Sequence, residues 1–202
     1  MSDRDALHEA GHLVVASVLG RKLYGATVNP GTRLAGCSLF ASPDPIPAGD
    51  LAGVDVEDLP FVLWPASLRR NLEEQALISL AGPAAELALA GPVAGRVPDP
   101  VAVLAAELVA GEADLAWAAQ VVDEAPHPSD ADSVAQAAFV AFGRDAGQAG
   151  PWISWLDAQA RELVICHESL IRRLAGCLVA SQVLGAAALE AIISGSLVAV
   201  PG

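Results

Sequence analysis

The sequence predicts a mainly α-helical protein with one small β-hairpin near its N-terminus. Apolar residues recur at helical spacing along most of the 202 residues, whereas two short β-type runs separated by a turn signal occur between residues 23 and 40. Apolar residue types make up 53% of the chain and aromatic residues 4%, which is typical of a core packed with Ala and Leu. This length accommodates one domain with a substantial core, or two small ones.

The first predicted element is a helix that ends near Leu19. Ser2 and Asp5 form a start that resembles a capping box, with Asp in place of the usual Glu. Gly20 provides the stop signal. The apolar residues of this segment recur at helical spacing, and they are Leu7, Val14, Val15 and Val18.

The predicted hairpin comes next. Residues 23–28 and 35–40 favour strands, and Asn-Pro-Gly at 29–31 favours a turn between them. One strand of a two-stranded hairpin has a free edge, so an extended peptide could pair with strand 35–40. The alternative is an edge that is covered by the loop predicted at residues 42–60.

Helical periodicity returns at residue 67 and continues to residue 89. Gly82 and Pro83 interrupt it, and a proline at this point predicts a kink or a new start. Further helices are predicted at residues 100–110, 112–122, 129–142, 152–182 and 186–193.

The charge of the chain argues against two classes of partner. The formal net charge is −13, from 24 acidic and 11 basic residues. Such a surface repels phosphate backbones and anionic lipid headgroups, so we expect neither nucleic acid nor a membrane as partner. Three scattered cysteines without a Cys-x-x-Cys pair fit a reducing compartment, and the N-terminal residues lack the basic region of a secretory signal. We therefore expect a cytoplasmic protein.

The chemical signal of the sequence is His-Glu-Ala-Gly-His at positions 8–12. Residues four apart share a helix face, so His8 and His12 are spaced to bind one zinc ion. Glu9 is placed to accept a proton from a water activated by the ion, as the general base of peptide hydrolysis. Gly11 costs a helix roughly 1 kcal/mol relative to Ala, so we expect a feature of the structure to need its small size, and close packing of another element beside the metal is one candidate.

Neither remaining histidine provides a third ligand by spacing. His127 lies in a Pro-rich loop, where a solvated side chain is expected. His167 is followed by Glu168, but Ile171 occupies the position that a second motif needs for histidine. The third ligand is then expected to be a carboxylate, and spacing leaves several candidates open: Glu73, Glu74, Glu86, Glu107, Glu112 and Asp114. Glu86 has a second interpretation, as the residue that orients an imidazole.

Residues 6–12, Ala-Leu-His-Glu-Ala-Gly-His, resemble the zinc helix of the FtsH-type ATP-dependent metalloproteases. Further similarities follow in the same order. Residues 26–31 and 34–36 resemble that family's strand, turn and strand. Residues 78–87 resemble its Gly-rich helix ending in Ala-Ala-Glu, and residues 113–118 resemble its Asn-Asp-Leu segment.

The resemblance implies a single zincin-like helical peptidase domain over residues 1–202, with an insertion at about 92–111. It also implies that Asp114 is the third zinc ligand beside the two histidines. Leu13 and Pro83 depart from the family's usual Ala and Arg, and these departures leave the metal site intact. No Gly-x-x-x-x-Gly-Lys-Ser/Thr phosphate loop occurs in the 202 residues, so we expect an activity without ATP.

These observations predict a zinc-dependent endopeptidase that acts on peptides or unfolded protein, with homo-oligomerisation left open. One alternative is a non-catalytic interaction module that zinc stabilises. Glu9 argues against it, because a purely structural site needs no general base. Another alternative is a peptidase subunit that serves a separate ATPase.

Overall fold

The computed structural model describes residues 3–28, 37–41, 59–90, 129–143 and 145–195. Several predictions lie outside these residues. They concern the Ser2 cap, the turn at 29–31, most of the loop at 42–60, the insertion at 92–111, the helices at 100–110 and 112–122, Asp114 and His127.

The described residues are mainly helical, with a small antiparallel sheet. The helices are α1 (Asp3–Val18), α2 (Ala66–Ala90), α3 (Asp130–Phe142), α4 (Ala146–Cys166), α5 (Glu168–Ser181) and α6 (Ala186–Ile193), and Phe61–Leu63 forms a 3-10 turn. The strands are β1 (Leu23–Thr27), β2 (Cys37–Phe40) and β3 (Val183–Gly185), in the order β2-β1-β3. None of these helices is both long and apolar enough to cross a bilayer.

The described chain falls into two compact units. The first takes its residues from 1–42, 81–96 and 160–202, and the second from 43–80 and 97–159. The core of the first unit surrounds α1 and includes Leu13, Val14, Leu174, Leu178 and Leu189. The second unit contains an aromatic cluster, which consists of Phe61, Trp64, Phe142 and Trp152.

The end of α1 follows from Gly20. This residue has φ +79°, a left-handed conformation that glycine adopts without a steric penalty. Its N–H donates to the carbonyl of Ser17, and Arg21 N–H donates to the carbonyl of Ala16. These two bonds form a Schellman motif, which satisfies the last carbonyls of the helix and turns the chain toward β1.

The sheet differs from the predicted hairpin by one strand. β1 pairs antiparallel with β2, as predicted, and Ala26 lies opposite Ser38. β3 pairs with the other side of β1, where Leu184 lies opposite Ala26. Three residues between two helices give no alternating pattern, so the sequence did not reveal this strand.

The structure excludes one of the two outcomes predicted at Pro83, and it contradicts one other helix prediction. α2 runs through Pro83 as one helix, so no new helix starts there. The predicted long helix at 152–182 is two helices, α4 and α5, separated at His167 with φ −111° and ψ 17°. Apolar periodicity continues across this single residue, which is why the sequence indicated no break. The predicted helices at 129–142 and 186–193 are confirmed as α3 and α6.

Candidate metal centre

The two motif histidines point their Nε2 atoms at each other. His8 and His12 lie one turn apart on α1, and their Nε2 atoms are 3.0 Å apart. The rings are edge to face, with an interplanar angle of 79°. His12 is buried and His8 is half-buried, so the pair lies at the border between the core and solvent.

This separation agrees with the demands of a tetrahedral zinc ion. Two Zn–N bonds of about 2.0–2.1 Å at the tetrahedral angle place the nitrogens about 3.3 Å apart. The observed 3.0 Å is shorter by an amount that a small rotation of either ring corrects. The helix therefore presents two imidazoles at nearly the required spacing.

Glu86 fixes the tautomer of His8. Its Oε1 lies 2.7 Å from His8 Nδ1, and its Oε2 accepts a hydrogen bond of 2.8 Å from Nε of Arg4. An ionised carboxylate can only accept hydrogen bonds, so His8 Nδ1 is the donor, and in the neutral imidazole the lone pair is then on Nε2. This is the contact expected of a residue that orients a metal-binding imidazole. Both oxygens of Glu86 are engaged in this way, which argues against Glu86 as a ligand.

Gly82 lies directly against the two histidines. A Cβ at this position would be 2.6 Å from His12 Cε1 and 2.8 Å from His8 Nε2, and it would also clash with His12 Nε2. Any larger residue would therefore fill the space between the donor atoms. The sequence identified Gly82 only as a helix interruption, but its hydrogen side chain leaves room for an ion.

Gly11 explains how α1 and α2 approach each other. A Cβ on Gly11 would be 2.6 Å from the carbonyl oxygen of Ala81 and 2.8 Å from Cβ of Ala85. The close packing that the sequence predicted for Gly11 is confirmed. Because the obstacle is backbone, this contact fixes α2 at the distance that places Gly82 beside the histidines.

Glu9 is buried, with 7% of its surface exposed. The hydroxyl of Ser38 lies 2.5 Å from Glu9 Oε2 and 3.1 Å from the backbone carbonyl of Glu9. The strand prediction included Ser38 but assigned no role to its side chain. No sequence signal pointed to this contact, since it joins residues 29 positions apart.

The predicted carboxylate ligands are only partly described. Glu73 and Glu74 lie on α2, where burial raises the pKa of Glu73 against the lowering effect of Arg69 and Arg70. The other candidates, Glu107, Glu112 and Asp114, lie outside the described residues. His167 is half-buried at the junction of α4 and α5.

No family model matches this chain, and no curated protein resembles it significantly in sequence. The resemblance to the FtsH-type peptidases therefore depends on the motifs quoted above, and membership of that family stays a prediction. The local geometry of the histidines, Glu86 and the two glycines is independent of that resemblance.

Proposed function

We propose that this protein is a zinc-dependent endopeptidase with a zincin-like helical peptidase fold. The observation that carries the proposal is the pair of Nε2 atoms 3.0 Å apart, with Gly82 leaving the space beside them open. The neighbouring buried carboxylate of Glu9 adds a base, which a purely structural zinc site does not require.

His8 and His12 hold the ion in this proposal, and a carboxylate completes the set. When bound, zinc lowers the pKa of a coordinated water to about 7 and polarises a carbonyl oxygen. The resemblance assigns the carboxylate to Asp114. Weaker zinc binding by D114N would identify Asp114 as the ligand, and an unchanged zinc affinity would exclude it.

Each remaining residue of the site has a distinct task. Glu86 holds the His8 ring and favours the tautomer with a lone pair on Nε2, while Arg4 holds Glu86 in turn. Glu9 accepts the proton of the attacking water and then donates it to the leaving amine. The chain alone is expected to hydrolyse peptides and unfolded proteins without ATP, in the cytoplasm.

The test compares the wild type with E9Q on a quenched peptide library. E9Q is expected to keep one zinc per chain and to lose at least about 100-fold in hydrolysis, the typical contribution of a positioned general base. E162Q, which changes an exposed glutamate on α4, is the matched control and is expected to behave as the wild type.

Three outcomes would contradict the proposal. Undiminished hydrolysis by E9Q would remove Glu9 from the mechanism. A wild-type protein that binds zinc but cleaves no peptide would favour the non-catalytic interaction module instead. Cleavage that appears only after a separate ATPase is added would favour the subunit alternative.

A further inference from the structure

Ser38 joins strand β2 to the proposed general base. Its side-chain oxygen lies 2.5 Å from Glu9 Oε2 and 3.1 Å from the Glu9 carbonyl oxygen. A serine hydroxyl has one hydrogen to donate. The shorter distance and the negative charge assign that hydrogen to the carboxylate, because hydrogen bonds to ionised acceptors are the shorter and stronger ones.

Ser38 lies on a strand that is held in the sheet by backbone pairing. Ser38 lies opposite Ala26 in the pairing of β2 with β1, and β1 is also paired with β3. Ala26 is buried in the core of the first unit. The hydroxyl therefore approaches Glu9 from a strand of the sheet, which packs against the same core as α1.

The carboxylate of Glu9 gains a defined orientation from this contact. Buried polar groups require partners, and among the described residues the side chain of Glu9 bonds to Ser38 through Oε2. No described residue forms a hydrogen bond with Oε1. One oxygen is thus held, and the other is left to accept a proton.

We propose that Ser38 is a positioning residue, which holds Glu9 Oε2 so that Oε1 acts as the base. This inference rests on the proposed function, because it takes Glu9 as the general base. Strand β2 then determines the orientation of the Glu9 carboxylate on α1.

This role changes how peptide docking on β2 is tested. Substituting proline for Ser38 would remove a backbone N–H that could bind substrate, but it would also remove the hydroxyl. S38A removes the hydroxyl and keeps the N–H, so it separates the two effects. S38T keeps the hydroxyl, and its β-branched side chain suits a strand.

The kinetic test compares wild type, S38A and S38T. For S38A we expect kcat to fall about 10-fold, the lower end for losing a hydrogen bond to a charged group, with KM and zinc content unchanged. S38T is expected to recover most of the lost kcat. A wild-type kcat in S38A, or a change confined to KM, would overturn the positioning role.

A double-mutant cycle provides a readout that needs no activity. Wild type, S38A, E9A and the double variant are unfolded in urea, and we expect the Ser38–Glu9 pair to contribute about 10-fold to the folding equilibrium constant. Absence of coupling would overturn the Ser38 inference alone. Coupling in a wild-type protein that cleaves no peptide would overturn the proposed function, and the positioning role with it.

Discussion

Different residue types pack the two units of this molecule. Small residues form the contact of α1 with α2 in the first unit, and aromatic rings form a cluster in the second. Where α1 meets α2 in the first unit, Gly11, Ala81 and Ala85 form the contact and Gly82 faces the histidines. In the second unit the rings of the aromatic cluster lie edge to face, and Phe61 has centroid distances of 5.4, 5.0 and 5.9 Å to its three neighbours.

The two arrangements serve different ends. Aromatic rings bury large areas and stabilise a fold wherever they interlock. The glycines bury almost no side-chain area, and glycine lowers helix stability. Gly11 lets the backbones of α1 and α2 approach each other, and Gly82 leaves space beside His8 and His12. Stability and site geometry are therefore expected to respond to different substitutions.

The largest effect on stability is expected in the aromatic cluster. F61A removes a buried ring with three aromatic neighbours, and Phe→Ala changes in cores lower the free energy of unfolding by about 3–5 kcal/mol. The measurement is urea unfolding followed by circular dichroism. V62A, at the exposed neighbouring position, is the control and is expected to stay within about 0.5 kcal/mol of wild type. Equal losses in the two variants would show that the cluster does not stabilise the unit.

G82A is expected to change stability little and zinc affinity strongly, unlike F61A. The new Cβ meets the ends of two imidazole side chains, which can rotate aside, so the free energy of unfolding should change by only about 1 kcal/mol. The rotation separates the two Nε2 atoms, and zinc affinity should fall at least about 100-fold, which corresponds to about 2.7 kcal/mol. Isothermal titration with zinc and urea unfolding measure the two quantities.

G176A is the matched control for G82A. Gly176 is also a helical glycine, but its Cβ would meet no atom within 4 Å. Alanine there should leave zinc affinity unchanged and stabilise α5 by up to about 1 kcal/mol. Wild-type zinc affinity in G82A would show that the space beside the histidines is not a metal site.

The sequence predicted the structure best where a residue type or a short motif has one strong structural preference. Apolar spacing and the stop at Gly20 predicted α1, and the motif at 8–12 predicted the histidine pair on one face of that helix. These signals are local, so they do not depend on the rest of the fold.

Most contacts between segments far apart in the chain were not predicted from the sequence. The contact of Ser38 with Glu9 and the bond from Arg4 to Glu86 join segments far apart in the chain. β3 is likewise defined by its partner, because three residues are too few for a pattern. The break at His167 was missed for another reason, since the apolar face continues on both sides of a single residue.

Zinc titration of the wild type and of H12A shows whether the two histidines bind zinc. Metal-free wild type is expected to bind one zinc ion per chain, and H12A is expected to bind it at least about 100-fold more weakly because one of two facing nitrogens is gone. Elemental analysis of both proteins after dialysis gives the stoichiometry. Stoichiometric zinc in H12A, or none in correctly folded wild type, would contradict the account.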